Sequence, residues 1–128
     1  MAATTHVQFH DDLIRYLSDT LAWIPTFNPS SKQVEQVGLN LWGITAILPK
    51  GARIAVEVFG RWAALFDCGP DKLALTGSYV LPGVTGDHGR YETIIVSKAS
   101  IVGALRSLQQ MCQQVASSDT IWLLHEGV

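Results

Sequence analysis

Charged residues and cysteines are scarce in this sequence of 128 residues, and long apolar runs are missing from it. Charged residues make up 16% of the chain, and nine Lys and Arg against eleven Asp and Glu leave a formal net charge of −2. Because a protein that holds a polyanion needs a basic excess, this balance argues against direct binding of nucleic acid. No stretch approaches the roughly 18 consecutive apolar residues of a membrane span, so none is expected.

The cysteine and histidine spacings exclude the common metal and redox motifs. Cys68 and Cys112, the two cysteines, are too far apart for a zinc or redox pair, and the four histidines form no zinc-binding pattern on a helix. The first residues lack the basic start and apolar core of a signal peptide, so we expect a cytoplasmic protein with free thiols. No metal and no cofactor is expected.

Hydrophobic periodicity predicts one globular domain over residues 1–128, with residues 1–9 as a flexible arm. A helix over 11–22 is indicated by an apolar stripe, and a loop over 25–29 by its two prolines. A capping-box pattern predicts a second, shorter helix from Ser30 to the residue before Gly38.

Two patterns compete over residues 52–66, after a predicted buried strand at 43–48. Apolar residues recur there at steps of four, which favours a helix of about fifteen residues. Ile54, Val56 and Val58 also alternate at steps of two, which would make a hairpin with the strand before Pro49. The helix covers more positions and is preferred, and the hairpin stays open as the alternative.

The C-terminal half predicts an antiparallel strand pair, a long helix and a last strand. The pair comprises 73–81, with a bulge at Gly77, and 91–96. Ser97 caps a helix over 97–117, predicted to be the longest and to bury Leu105 and Leu108 in the core, and 120–124 reads as a buried strand. The fold class is therefore α+β, with about four mainly antiparallel strands, helices packed on one face and the order α-α-β-α-β-β-α-β.

The loop before the second strand of the pair is the best candidate for contact with a partner. It has three glycines between 82 and 90, but it leads into a strand, whereas a phosphate-binding loop leads into a helix. Its end carries Asp87, His88 and Arg90, which make directed polar bonds, and Tyr91 follows. The structural alternative is a solvated hairpin end.

Four carboxylates are predicted to share one end of the sheet and could mimic phosphates toward a basic partner. They are Asp67, Asp71, Asp87 and Glu92. Scattered solvated charges are the alternative. Among the tryptophans, Trp62 and Trp122 are predicted to lie in the core, and Trp23 and Trp42 border loops and are candidates for an exposed rim.

The segments LALTGSY at 73–79, GRYETI at 89–94 and IWLLHEG at 121–127, with the capped helix between the last two, resemble bacterial immunity proteins. These accompany polymorphic or contact-dependent growth-inhibition toxins. The resemblance covers about residues 38–128 and implies a cytoplasmic, non-enzymatic protein that binds one toxin domain, often a nuclease, and blocks its active site. It carries over no individual contact residue.

Two other functions stay open from the sequence. One is a small enzyme or small-molecule-binding domain with a site at 82–92, using Asp87, His88 or Cys68. The other is a structural or adaptor subunit that forms homo-oligomers through exposed tryptophans.

Overall fold

The computed structural model of the chain describes residues 7–8, 11–27, 36–39, 44–81, 89–118 and 123–126. The helices and strands have the following bounds: α1 Asp11–Tyr16, α2 Ser18–Leu21, β1 Pro25–Thr26, β2 Gln36–Val37, β3 Ile44–Ile47, α3 Pro49–Asp67, β4 Lys72–Val80, β5 Arg90–Ser97, α4 Lys98–Ala116 and β6 Leu123–Glu126. The α+β class is therefore as predicted.

The strands pair antiparallel as β1 with β2, β3 with β6 and β4 with β5, in three separate two-stranded sheets within the described ranges. The predicted strand count and order are not what these residues form, because the order is α-α-β-β-β-α-β-β-α-β. Pro25 pairs with Val37, and Thr26 pairs with Gln36, so the first two residues of the predicted loop at 25–29 form a strand. Val37, predicted to be in the second helix, lies in strand β2. Strands of two residues carry no periodic signal, and pairing across the chain decides them.

Several predictions lie outside the described residues: most of the arm at 1–9, the helix at 30–35, the loop at 82–88 and the start of the last strand at 120–122. The predicted helix at 11–22 is present but is interrupted at Leu17, between α1 and α2. Its apolar stripe is buried as predicted, at Leu13, Ile14, Leu17 and Leu21.

Helix α3 settles the competition over residues 52–66 in favour of the helix. It also begins three residues earlier, because Pro49 sits in its first turn, where its missing N–H costs no hydrogen bond. Gly51 allows this start to lie against β1, since a Cβ at residue 51 would overlap the carbonyl oxygen of Pro25. The alternative, in which Ile54, Val56 and Val58 form a hairpin with the strand before Pro49, does not form.

Helix α4 packs along α3 and closes the core. The Ser97 hydroxyl accepts a bond of 3.4 Å from the amide of Ser100, which confirms the predicted cap. Leu105 is fully buried as predicted, whereas Leu108 is only half-buried. The prediction that this helix is the longest is wrong, because α3 and α4 both have 19 residues.

The β4–β5 hairpin is the long exposed feature of the fold. Leu73 and Ile94 are buried in the core, and the register shifts by one residue between Thr76 and Tyr79, which confirms the bulge predicted at Gly77. The described part of the chain includes no helix that is long and apolar enough to cross a membrane.

Candidate functional site

Two tyrosines form an exposed aromatic pair near the loop end of the hairpin. Tyr79 on β4 is directly opposite Tyr91 on β5, and their ring centroids are 5.1 Å apart at an interplanar angle of 69°. Their exposed fractions are 52% and 63%. Edge-to-face pairs of this kind are attractive beyond their buried area, so each ring holds the other in place while both face solvent.

The bulge explains why Tyr79 is available for this pair. Side chains of a strand alternate between its two faces, so Leu73 and Leu75 point inward together and residue 79 would follow them. One extra residue between Thr76 and Tyr79 reverses the alternation and turns Tyr79 to the exposed face. Gly89 makes room for it, because a Cβ there would overlap the Tyr79 phenol.

More large apolar side chains are exposed around the tyrosine pair. We call this surface the distal hairpin, and it comprises Tyr79, Val80, Leu81, Arg90 and Tyr91. Leu81 is 78% exposed, and Arg90 is an exposed residue at the start of β5. Val80 pairs with Arg90, and both point to the face opposite the tyrosines, so this end of the hairpin exposes large apolar side chains on both faces, as is typical of a protein-binding surface.

Glu92 lies on the other side of the same strand region, in a polar cleft between α1 and the hairpin. The cleft measures about 300 Å³, and its lining consists of Asp12, Arg15, Tyr16, Thr76, Gly77, Ser78, Glu92 and Ile94. Two carboxylates, one guanidinium and several hydroxyls meet there. Such a cleft can accept a polar group that both donates and accepts hydrogen bonds.

The structure separates the carboxylates that were predicted to share one end of the sheet. Asp71 precedes the end of the hairpin where Lys72 pairs with Ser97, and Glu92 adjoins the opposite end, roughly 20 Å away at about 3.3 Å per residue. Asp67 ends α3, near Asp71 in sequence. The grouping of Asp67 and Asp71 with Glu92 is therefore wrong, and Asp87 and His88 lie outside the described residues. The predicted antiparallel pair of 73–81 with 91–96 already implied this separation, because a residue just before the first strand of a hairpin and a residue at the start of its second strand lie at opposite ends.

A second exposed apolar surface lies between α2 and α3. We call it the α2–α3 groove; it measures about 400 Å³, and its lining comprises Thr20, Trp23, Ile54, Glu57, Val58, Arg61, Trp62 and Leu65. Trp23 is 65% exposed, as predicted for a rim residue, and Leu65 is 61% exposed. Trp62, predicted to be a core residue, is half-buried because one side packs on the core and the other lines this groove. Trp42 and Trp122 lie outside the described side chains.

The width of the apolar stripe on α3 is a signal in the sequence that indicates the groove. Ile54, Val58 and Leu65 belong to the apolar stripe that predicts α3, but Ile54 and Leu65 are exposed. The stripe is wider than the surface that α4 covers. An apolar stripe that exceeds the area of its packing partner indicates an uncovered face.

The cysteines are free thiols with different environments. Burial raises the pKa of Cys112 from 9.0 to about 12, which makes its thiol inert near neutral pH. Cys68 is exposed at the C-terminal end of α3, where a reagent in solution can reach its thiol. Across the described ranges, no group of three or more His, Cys, Asp and Glu side chains is arranged to hold a metal ion.

The candidate surfaces are thus the distal hairpin, the polar cleft and the α2–α3 groove. Comparison of the chain with protein-family models, with curated proteins and with solved structures finds no match.

Proposed function

We propose that the chain is an immunity-type protein that binds a cognate toxin domain in the cytoplasm and blocks its active site. The observation that carries this proposal is the exposed Tyr79–Tyr91 pair on the distal hairpin. The pair adjoins Arg90, so two of the predicted partner-binding residues lie on this surface. In this proposal the protein performs no catalysis, and the toxin domain is its partner.

The chemistry of the distal hairpin suits tight protein binding. Tyrosine and arginine are enriched among the residues that dominate binding energy at interfaces. Tyr79 and Tyr91 already contact each other, so they lose little side-chain freedom when a partner covers them. A rigid aromatic anchor is therefore in place before binding.

A nuclease is the toxin class that we propose, because its substrate cleft must be basic. Glu92 is the described carboxylate next to Tyr91, and Asp87 precedes it in the loop. We expect Asp87 to face the basic cleft and Glu92, which lines the polar cleft on the other face of the hairpin, to act as a charge at the rim of the contact, with His88 and Arg90 adding directed hydrogen bonds. Asp67 and Asp71 are excluded from this contact because they adjoin the other end of the hairpin.

The polar cleft supports a second candidate function, which is binding of a small polar molecule near the 82–92 loop. Its volume of about 300 Å³ is at the lower limit of small-molecule pockets. Glu92 and Arg15 line it from opposite elements and would recognise groups of opposite charge. This candidate predicts that Arg15→Ala abolishes ligand binding, whereas the immunity function does not require Arg15.

The test is co-expression with the toxin domain encoded by the adjacent gene, followed by titration calorimetry of the purified pair. We expect complex formation, loss of toxin activity in the complex, and at least about tenfold weaker binding for Y91A and for Y79A. V37A is the matched control, because Val37 is 64% exposed and lies on β2, away from the hairpin. An unchanged affinity in both tyrosine variants would reject the distal hairpin, and weaker binding by W23S alone would place the contact at the α2–α3 groove.

A further inference from the structure

The α2–α3 groove is a surface separate from the distal hairpin, and its walls are exposed apolar side chains. Trp23 forms one wall, and Ile54 and Leu65 form the other, above Val58 and Trp62. Exposed large apolar residues that occur together, and not singly, mark an interface. The proposed toxin contact on the hairpin leaves this surface uncovered.

Two contacts show the relative chain directions of the two segments that form the walls of the groove. The Trp62 indole Nε1 donates to the Thr20 hydroxyl at 2.7 Å, and Gly51 lies against the carbonyl of Pro25. Residue 20 is thus level with the second half of α3, and residue 25 is level with its first turn. The segment 20–25 therefore runs antiparallel to α3, and Asp19 lies at the level of Trp62.

The two edges of the groove carry opposite charge. Arg53, Glu57 and Arg61 follow one another at steps of four along α3, and Arg61 pairs with Glu57 at 3.3 Å. This edge has two cations and one anion. Asp19 does not line the groove itself, but its exposed carboxylate is four residues before Trp23 and so lies on the same side of this helical turn, at the outer edge of the Trp23 wall. A surface whose own edges differ in sign is complementary to itself.

We infer that the α2–α3 groove binds a second copy of this chain. In an isologous dimer with its two-fold axis along the groove, each edge lies opposite the other edge of the second copy. Asp19 then faces the second copy's Arg61 at the same level, and Trp23 packs against the second copy's Ile54. A two-fold axis across the groove would place the two cationic edges together, so the charges select the first arrangement.

Sedimentation equilibrium of the purified chain alone tests the dimer, at concentrations from about 1 to 500 µM. We expect a reversible monomer–dimer equilibrium that W23S weakens at least about tenfold. The matched control is Y91S, which removes an equally exposed aromatic residue from the hairpin and leaves the dimer unchanged. A parent protein that stays monomeric at every concentration overturns the inference, as does an equal loss of dimer in Y91S.

A charge exchange tests the orientation. D19R and R61D each create two like-charge contacts in their own homodimer, so each alone should be mostly monomeric. Mixed together, they form a heterodimer in which both contacts again join opposite charges, and dimer should return in the mixture only. Failure of the mixture to dimerise, with both variants melting as the parent does, overturns the proposed orientation and with it the self-complementary groove. The outcome does not depend on the toxin experiment, which uses a different surface.

Discussion

The indole Nε1 of Trp62 donates a hydrogen bond of 2.7 Å to the hydroxyl of Thr20, a residue 42 positions earlier in the chain. This bond joins α2 to α3. The same indole stacks on Phe66 with ring centroids 5.3 Å apart, and Tyr16 packs edge-on against it at 6.0 Å. The hydrogen bond and the ring contacts together fix the position of the Trp62 side chain, which lines the α2–α3 groove.

Replacement of the Thr20 hydroxyl should destabilise the protein. T20V leaves the partly buried indole N–H of Trp62 without its acceptor, which should cost about 1–3 kcal/mol of unfolding free energy. T20S keeps the hydroxyl and should cost much less. Urea denaturation of the three proteins measures the difference, and equal stabilities of T20V and T20S would show that the bond contributes nothing.

Removal of the Leu105 side chain should leave a cavity in the core. Leu105 is fully buried against α3, so L105A should lower the unfolding free energy by about 2–5 kcal/mol. L108A is the comparison on the same helix, and its loss should be smaller because Leu108 is half-buried. A loss below about 0.5 kcal/mol for L105A would contradict the packing of α4 on α3.

The two glycines Gly51 and Gly103 should respond in opposite ways to the same substitution. A Cβ at residue 51 overlaps the backbone of Pro25, so G51A should force β1 away from α3 and destabilise the protein by about 1–3 kcal/mol. A Cβ at residue 103 meets no atom within 4 Å, so G103A should stabilise α4 by about 1 kcal/mol. Thermal melting distinguishes them, and a stabilised G51A would refute the close approach.

Cys112 should make stability fall at high pH. Its pKa is raised from 9.0 to about 12 by burial, so the folded state holds the thiol proton more tightly than the unfolded state does. The contribution of this group is fully present below pH 9.0 and is lost as the pH rises toward about 12. C112A should show a shallower decline of stability over this range than the parent, and identical declines would argue against the burial.

The same environments predict how many thiols react. At pH 8 a thiol reagent should modify the exposed Cys68 in the folded protein and reach Cys112 only after unfolding. Rapid modification of both thiols in the folded protein would contradict the burial of Cys112.

The separation of Asp71 from Glu92 predicts unequal effects of charge reversal on binding of the proposed toxin partner. E92K should slow association and change its salt dependence, because Glu92 adjoins Tyr91 of the distal hairpin. D71K should leave both unchanged, since Asp71 is at the opposite end of the hairpin and its described partner is Lys98, at 3.8 Å. Stopped-flow measurements at two salt concentrations compare the association rates of E92K and D71K. A stronger effect of D71K would place the interface at the end of the hairpin where Lys72 pairs with Ser97.

Local pattern by itself determined the helices and the long hairpin of this protein. The cap of α4 and the bulge at Gly77 are encoded by residues that are near one another in the chain, so spacing alone predicts them. For α3, spacing favoured the helix but left the hairpin open. Val37 shows the limit, because its pairing with Pro25 depends on a contact across a loop and not on its neighbours.

Tertiary structure alone decided which of these elements form the candidate surfaces. Spacing placed Ile54 and Leu65 on an apolar stripe, but only the packing of α4 and α2 determined that these two side chains stay exposed. Spacing also placed Trp62 on that stripe, but only the packing of α2 determined that one side of its indole lines a groove. The physical reason is that exposure and proximity depend on what the rest of the chain covers, and no local pattern contains that information.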